Sequence, residues 1–281
     1  SMGNSVTFTG GGELDNGLNV SVSFELDQGA ANNSAVTASG VVAVNTGAVF
    51  DSHSVTVSSD MMGSLTFAGH GGDSAQSAVK DMTGKIWDYQ GTNQKAVASS
   101  SSNNMMLYTL PSVIDGVSVS ASYVPKGAAA TQWASATDVA IAYTGVEGLT
   151  VGYALGEKNA TEATVGDVDT WYAKYAYGPV TVAYTETEFA SKADASDREF
   201  EAMSVAYAVS ENISVSYGTS ENTQNTTAAS ATNTPEEVSG ITASYTMGGM
   251  TLSGAMIDIK NQGFVSGTKE EAWELALAFA F

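Results

Sequence analysis

The feature of this chain that most limits its fold is a repeated alternation of apolar and small polar residues. Residues 17–27 read GLNVSVSFELD, in which every second residue is apolar and most of the residues between are polar. A period of two is that of a β-strand with one apolar face and one polar face. The pattern returns along the whole chain, and no segment has a helical face of useful length. The sequence therefore predicts an all-β protein.

The connections between these segments alternate as well, short and then long. Fifteen strands are predicted, and the short connections are turns such as LDNG, TGVEG and MGG. This alternation predicts an antiparallel up-and-down sheet with unequal ends, which is the plan of a transmembrane β-barrel, and residues 1–281 would form one such domain. The longer polar segments lie at about 28–51, 71–104, 125–132, 156–168, 188–199, 219–236 and 260–270.

The two faces of the predicted strands suit two different media. One face carries Ser, Thr, Gly and Ala with scattered charges and suits a water-filled lumen, whereas the other is apolar and suits lipid. From Trp133 to Tyr143 is ten residues, which spans roughly 23 Å in a strand tilted by about 45°, close to the height of the apolar band of a barrel. Aromatic residues near both ends of the apolar face predict two girdles: Trp133, Tyr143, Trp171, Tyr177, Trp273 and Phe281.

The terminal segment EAWELALAFAF continues the alternation to a final Phe281. In a closed barrel, each strand is held by a neighbour on both sides, because lipid does not tolerate an open sheet edge. The alternative is the edge strand of a soluble β-sandwich, in which apolar faces pack against each other. The large number of regular strands favours the barrel.

The charge balance excludes several classes of partner. The chain has 30 acidic and 10 basic residues, a net charge of −20. Nucleic acid is therefore not an expected partner, because phosphate binding needs clustered Lys and Arg.

The sequence contains no run of 18 apolar residues that would predict a transmembrane helix. It also contains no cysteine, which excludes disulfides and Cys-ligated metals.

An enzyme is not predicted. The two histidines, His53 and His70, lie on opposite faces by their parity. A serine nucleophile such as Ser74 beside His70 is conceivable, but no GxSxG motif surrounds a serine. No cofactor is expected either.

Three stretches resemble the Gram-negative general porins of the alphaproteobacterial type. They are VTFTGGGELDNGLNVSVSFEL, SHSVTVSSDMMGSLTFAGHGG and the terminal AFAF. The resemblance implies a 16-stranded barrel that assembles as a homotrimer in the bacterial outer membrane. It also implies passive diffusion of small hydrophilic solutes and ions, and recognition of Phe281 by the outer-membrane assembly machinery.

The predicted strand count is odd, whereas single-chain bacterial barrels have an even number of strands. We expect a first strand upstream of Ser1. With that strand added, segment 71–104 would follow the fifth strand, as the constriction loop does in the family. The alternative is that residues 35–50 contribute strand material and that the count is in error.

The resemblance implies that segment 71–104 folds into the lumen and narrows the pore, where its fixed charges would set ion preference. The alternative is that the charges are merely solvated and that Ile86 and the aromatic residues attach the loop to the wall. The charges of the segment sum to zero. The candidate constriction residues are Asp73, Lys80, Asp81, Lys85, Trp87, Asp88, Tyr89 and Lys95.

Residues that share parity with the small polar face are candidates for the lumen wall. The family commonly has an arginine cluster opposite the loop acids, but the single arginine here, Arg198, is predicted in an external loop. We therefore expect a weakly cation-selective channel, because negative charge lowers the energy of a cation at the mouth. The wall candidates are Glu25, His70, Lys126, Asp138, Tyr172, Lys174 and Glu274.

Two other functions stay open. A substrate-selective channel could stack a sugar on aromatic residues such as Tyr172 and Trp87, and a surface adhesin or structural β-protein is a further alternative.

Two external segments suggest partners. The acidic segment 186–201 predicts either loosely bound divalent cations such as calcium, which could bridge to lipid phosphates, or a solvated acidic rim. Residues 28–51 resemble in position the loop that latches onto a neighbouring subunit in the family.

Overall fold

A computed structural model describes residues 6–26, 50–84, 95–100, 104–126, 134–159, 165–192, 197–225 and 234–279. Within these ranges, fifteen strands form one antiparallel sheet whose spatial order is the order of the sequence. The strands are β1 (Val6–Glu13), β2 (Asn19–Leu26), β3 (Phe50–Ser59), β4 (Gly63–His70), β5 (Met105–Thr109), β6 (Val117–Val124), β7 (Ala136–Tyr143), β8 (Leu149–Lys158), β9 (Gly166–Tyr177), β10 (Val180–Ser191), β11 (Asp197–Ser210), β12 (Ile213–Asn225), β13 (Glu236–Met247), β14 (Met250–Lys260) and β15 (Lys269–Phe279).

This architecture confirms the predicted all-β, up-and-down sheet. Among the described residues, helical structure is limited to short 3-10 turns, such as Ser77–Val79 and Gln262–Phe264, and no helix is long and apolar enough to cross a membrane. The sixteenth strand stays a prediction. The predicted latch, residues 28–51, lies outside the described residues except for its last two positions, which begin β3.

Glycine makes the tight turns possible where two strands come close together. Gly148, between β7 and β8, has φ +75°, and a Cβ there would collide with the carbonyl oxygen of Ala176 on β9. Only glycine tolerates both the left-handed backbone and the close approach.

The register of the strands separates an inner face from an outer face. The inner face is the one on which the segment after β4 lies. One outer row is apolar on seven consecutive strands: Tyr175, Val182, Val205, Tyr217, Ile241, Met256 and Trp273. The adjacent inner row is mostly small: Ala183, Ser204, Gly218, Gly240, Ile257 and Ala272.

The outer row is exposed, with between 41% and 78% of each side chain accessible. On the inner face, hydroxyl groups pair across neighbouring strands, as between Ser214 and Ser244 at 2.7 Å and between Thr56 and Thr66 at 2.8 Å. The apolar side chains are therefore outside and the small hydroxyl side chains inside, the reverse of a soluble sandwich.

Strands β10 to β14 are longer than the sequence pattern predicted. The predicted loop 188–199 shrinks because β10 continues to Ser191 and β11 begins at Asp197. The strands continue beyond the end of the apolar alternation. Backbone hydrogen bonds between strands do not require apolar side chains, which are needed only in the lipid-facing band. Arg198, predicted in a loop, lies in β11 for this reason.

We predict unequal losses of stability for an arginine placed on the two faces of β11. Val205→Arg puts a charge on the outer face and should lower the free energy of unfolding in lipid vesicles by about 2–4 kcal/mol. Ala206→Arg, the adjacent inner position, should cost much less because its side chain reaches water. Urea unfolding of both variants measures the difference, and equal losses would contradict the assignment of the faces.

Candidate functional site: the inward segment and the wall it covers

The described parts of the segment between β4 and β5 lie on the inner face, as the family resemblance implied for an inward-folded loop. Its described parts are an outgoing limb, residues 71–84, and a returning limb, residues 95–100. Ser74, Gln76 and Ser77 are at most 2% exposed, although all are polar. Polar groups are buried in this way when hydrogen bonds compensate for lost water.

A buried carboxylate on β7 connects both limbs to the wall. Asp138, which is 2% exposed, accepts at Oδ2 from the backbone N–H of Gln76 at 3.3 Å and from Oγ of Ser99 at 2.5 Å. Its Oδ1 accepts from the backbone N–H of Glu157 on β8 at 3.2 Å. We call Asp138, Gln76 and Ser99 the Asp138 junction.

The side chain of Gln76 reinforces this junction. Its Nε2 donates to Oγ1 of Thr170 on β9 at 2.9 Å, and its Oε1 accepts from the backbone N–H of Ser99 at 2.7 Å. Oγ of Ser74 lies 2.5 Å from Oγ of Ser99. The backbone N–H of Ala75 donates to Oγ of Ser122 on β6 at 3.0 Å. Strands β6, β7 and β9 therefore hold the start of the loop.

Farther along, the outgoing limb crosses β10 and β11, and the returning limb starts beside β12. Side-chain hydroxyls and one amide of the wall bond to the loop backbone. The contacts join Thr187 Oγ1 to the Lys80 carbonyl at 2.8 Å, the Met82 N–H to Thr185 Oγ1 at 2.9 Å, Ser204 Oγ to the Thr83 carbonyl, and Asn222 Nδ2 to the Lys95 carbonyl at 3.2 Å.

An apolar patch on the inner wall lies beneath the returning limb. Ala96 belongs to a buried cluster with Phe200 and Ile257, and Val97 packs with Val168 and Phe189. The sequence analysis missed these residues because it treated the inner face as uniformly small and polar. The available signal was a change of phase at the ends of β10, β11 and β14, where the apolar residues take the inner parity and charged residues take the outer parity. The inner apolar residues are Phe189, Phe200, Ile257 and Ile259.

The described loop residues among the predicted constriction set are partly tied to the loop itself. Asp73 is exposed and accepts from Oγ of Ser77 at 3.2 Å. Lys80 donates from Nζ to the carbonyl of Ser77 at 3.1 Å, and Asp81 accepts from the N–H of Thr83 at 2.8 Å. Lys95 is exposed. Lys85, Trp87, Asp88 and Tyr89 lie outside the described residues.

Two predicted wall residues are on the inner face but are shielded from solvent. Asp138 was predicted as a wall charge, yet the loop covers it. Tyr172 is 4% exposed, and its ring fills the space above Gly152 on β8. It therefore offers no surface on which a sugar could stack.

The other wall candidates are accessible. Lys174 and Glu274 are exposed on the inner faces of β9 and β15, and Glu25 is half-buried on β2, where Oγ of Ser52 donates to it at 3.3 Å. Lys126 is exposed just after β6, and His70 is exposed at the end of β4, beside a β-bulge.

The outer face carries aromatic residues and, beyond them, acids. Tyr143, Trp171, Tyr177 and Trp273 are all exposed there, by 41% to 78%. Trp133 and Phe281 of the predicted girdles lie outside the described residues. A row of carboxylates also lies on the outer face, one on each strand from β10 to β13 and each paired directly with the next: Glu186, Glu201, Glu221 and Glu237.

The sequence analysis assigned the acidic segment 186–201 to an external loop. Its described glutamates instead lie on the outer faces of β10 and β11: Glu186, Glu188, Glu199 and Glu201. Carboxylate oxygens of Glu186, Glu188 and Glu199 lie within 4.8 Å of one another.

The conceivable nucleophile, Ser74, is fully buried, and its hydroxyl is engaged with Ser99 and with the N–H of Ser77 at 3.1 Å. A buried, bonded hydroxyl cannot reach a substrate, so this arrangement does not support hydrolysis.

Comparisons with known proteins point to one family. A model of the Gram-negative porins matches residues 1–234. No curated protein sequence matches the chain.

Solved structures with the same fold cover almost the whole chain. The anion-selective porin from Comamonas acidovorans has a TM-score of 0.72 at 13% identity, over 99% of this chain and 90% of that chain. A porin refined at 1.8 Å resolution has a TM-score of 0.70 at 18% identity, over 99% and 92%. Salmonella typhi OmpF in complex with daunomycin has a TM-score of 0.71 at 14% identity, over 98% and 89%. At these identities, the likeness concerns the fold.

The apolar patch should contribute strongly to stability. Phe200→Ala leaves a cavity between the wall and the returning limb and should lower the free energy of unfolding by about 3–5 kcal/mol. Phe67→Ala on the outer face, where the ring is 44% exposed, is the matched control and should cost less because lipid chains fill the space. Urea unfolding in vesicles compares the two variants. A smaller loss for Phe200→Ala than for Phe67→Ala would contradict the packing.

Proposed function

Because the chain belongs to the Gram-negative porin family, it is an integral β-barrel channel of the outer membrane and not an enzyme, and we propose that it is a weakly cation-selective general diffusion pore. Small hydrophilic solutes and ions would cross it passively through the space between the inward loop and the uncovered part of the wall.

The charge of that uncovered wall carries the proposal. On the described inner faces of β1–β5 and β15, the charged side chains are the carboxylates of Glu13, Glu25, Glu270 and Glu274. The accessible Lys174 lies on the inner face of β9. The four carboxylates outnumber this lysine, and an excess of negative charge lowers the energy of a cation in the lumen and raises that of an anion.

The described charges of the loop do not oppose this field. Asp73 and Asp81 balance Lys80 and Lys95. The guanidinium of Arg198 lies over the ring of Phe264, 5.5 Å from its centroid, on β11. It is thus placed beside an aromatic ring at the start of that strand, on the side of the wall that the loop covers. The anion-selective porin from Comamonas acidovorans shares the fold, which does not determine the sign of selectivity.

The other functions predicted as alternatives have less support. A sugar channel would need an accessible aromatic platform, and Tyr172 is buried. Trp87 lies outside the described residues. A surface adhesin would not need an inner face lined with hydroxyl groups and covered by a loop. Competing solutes that fail to block the current would favour the general pore.

Removing carboxylates from the uncovered wall should weaken the cation preference. Glu25→Gln and Glu274→Gln should each reduce the cation-to-anion permeability ratio about twofold. One unit charge about 8 Å away in salt solution contributes roughly 0.2 kcal/mol, with opposite signs for the cation and the anion. The zero-current potential of a planar bilayer under a KCl gradient measures the ratio.

Glu221→Gln is the matched control for these two variants. It removes the same charge from the outer face of β12 and should leave the ratio nearly unchanged, because salt screens charges beyond about 8 Å. An anion-selective wild-type channel would contradict the proposed function.

The homotrimer implied by the resemblance is also proposed, with the outer face of β1–β4 as its contact. Tyr143, Tyr177, Tyr207 and Tyr245 mark the short-turn ends of other strands on the outer face. The corresponding row on β1–β4 is Gly12, Val20, Val57 and Leu65. Tyrosine belongs at the boundary between lipid and water, so an apolar surface without it suits another copy of the chain.

A bulky residue on β1 should separate the subunits. A Cβ added at Gly10, on the outer face of β1, meets no atom within 4 Å, so Gly10→Trp is compatible with the folded subunit. It should shift the band of unheated protein in detergent electrophoresis from oligomer to monomer. Gly254→Trp, on the outer face of β14, is the control and should keep the oligomer. Retention of the oligomer by both variants would refute this interface.

Contacts with outer-membrane lipid and with the assembly machinery through Phe281 stay predictions. So do loosely bound divalent cations, for which the closely spaced oxygens of Glu186, Glu188 and Glu199 are the most suitable group among the described residues.

A further inference from the structure

We propose that Asp138 is a positioning residue that fixes the place of the inward loop, and not one of the charges that set ion preference. The proposal concerns what holds the loop, so it does not depend on the sign of the channel's selectivity.

The first support is that both limbs meet at one carboxylate. Gln76 and Ser99 are 23 residues apart in the sequence, yet both bond to Oδ2 of Asp138. All three residues are at least 96% buried, since none is more than 4% exposed. The described loop residues between them, including Lys80, Asp81 and Lys95, are therefore connected to the wall through this junction.

The second support is the direction of the hydrogen bonds. A carboxylate only accepts, so the single hydroxyl hydrogen of Ser99 must point to Asp138. Ser74 must then donate its own hydroxyl hydrogen to Oγ of Ser99, and the N–H of Ser77 donates to Oγ of Ser74. The carboxylate thus orders a continuous chain of donors that ends in the 3-10 turn at Ser77–Val79. The hydrogen bonds in such a series polarise and strengthen one another.

The third support is that an amide cannot replace the carboxylate. Three donors converge on Asp138, from Gln76, Ser99 and Glu157. An asparagine amide has one accepting oxygen and two donor hydrogens. In Asp138→Asn, at least one buried donor of the loop or of β8 would face another donor. Asp138→Asn therefore breaks a hydrogen bond inside the Asp138 junction, whereas the solvent-accessible charges of the lumen stay the same.

Single-channel recording separates the positioning role from a field effect. Asp138→Asn and Glu274→Gln each remove one negative charge from the inner wall, the first beneath the loop and the second in the open lumen. For Asp138→Asn we expect new current levels from displaced loop positions, with a population raised about ten- to hundredfold, and a zero-current potential close to that of the unmodified channel. For Glu274→Gln we expect a shifted zero-current potential and no new levels.

The reverse result for Asp138→Asn would overturn the proposal. If Asp138→Asn shifts the zero-current potential as Glu274→Gln does and adds no current levels, Asp138 is a charge of the pore field. The sign of the wild-type selectivity is read from the same recordings, so a failure of the proposed cation preference is recognised separately.

Ser99→Ala tests the same junction if Asp138→Asn fails to assemble. It leaves the wall and its charge intact and removes only the hydroxyl contact from the loop side. We expect the same new current levels with an unchanged zero-current potential. If Ser99→Ala shows the same current levels as the unmodified channel, the proposal is overturned. Ala98→Ser, which alters a neighbouring half-buried position of the returning limb, is the control and should add no levels.

Discussion

The whole structure depends on the pairing of backbone N–H and C=O groups within one continuous sheet. Hydrocarbon offers these groups no partners, so a chain that crosses it with strands must satisfy all of them between neighbours. In the described sheet, every strand from β2 to β14 pairs with a neighbour on both sides, in simple sequence order. Because this ladder forms between backbone groups and not between side chains, one face of the sheet can contact lipid and the other can contact water. The outer row from Tyr175 to Trp273 and the small inner row beside it follow directly from that separation of the faces.

The inward loop adds a second requirement, because a backbone inside the lumen also needs partners and a fixed position. Two kinds of contact provide them. At its base, the Asp138 junction and the amide of Gln76 satisfy buried polar groups. Along its return, Ala96 and Val97 pack on apolar side chains of the wall. The inner face is thus polar where it contacts water or the outgoing limb and apolar beneath Ala96 and Val97. The uncovered wall is left to set the electrostatic field of the pore.

The sequence was sufficient for the strands and their faces, because a period of two is a local property that tertiary contacts do not alter. The inward segment was expected only from the family resemblance. It was not sufficient for the ends of the strands, since β10 and β11 continue beyond the apolar alternation. It also could not show that Asp138 and Tyr172 are covered. Parity gives the face on which a residue lies, whereas burial depends on a loop that is distant in the sequence. Phe200 and Ile257 were missed for a different reason, because the inner face was treated as uniformly small and polar, whereas these two side chains pack against the loop.

The most direct test of the account is the environment of consecutive side chains along one strand. The chain has no cysteine, so single cysteines placed one at a time from Met203 to Val209 on β11 can carry a spin label in lipid vesicles. Collision with oxygen, which concentrates in lipid, and with a water-soluble nickel complex would then be measured at each position. The account predicts strict alternation, with oxygen favoured at Met203, Val205, Tyr207 and Val209 and the nickel complex favoured between them. Equal protection of both sets from the nickel complex, as in the core of a soluble protein, would contradict it.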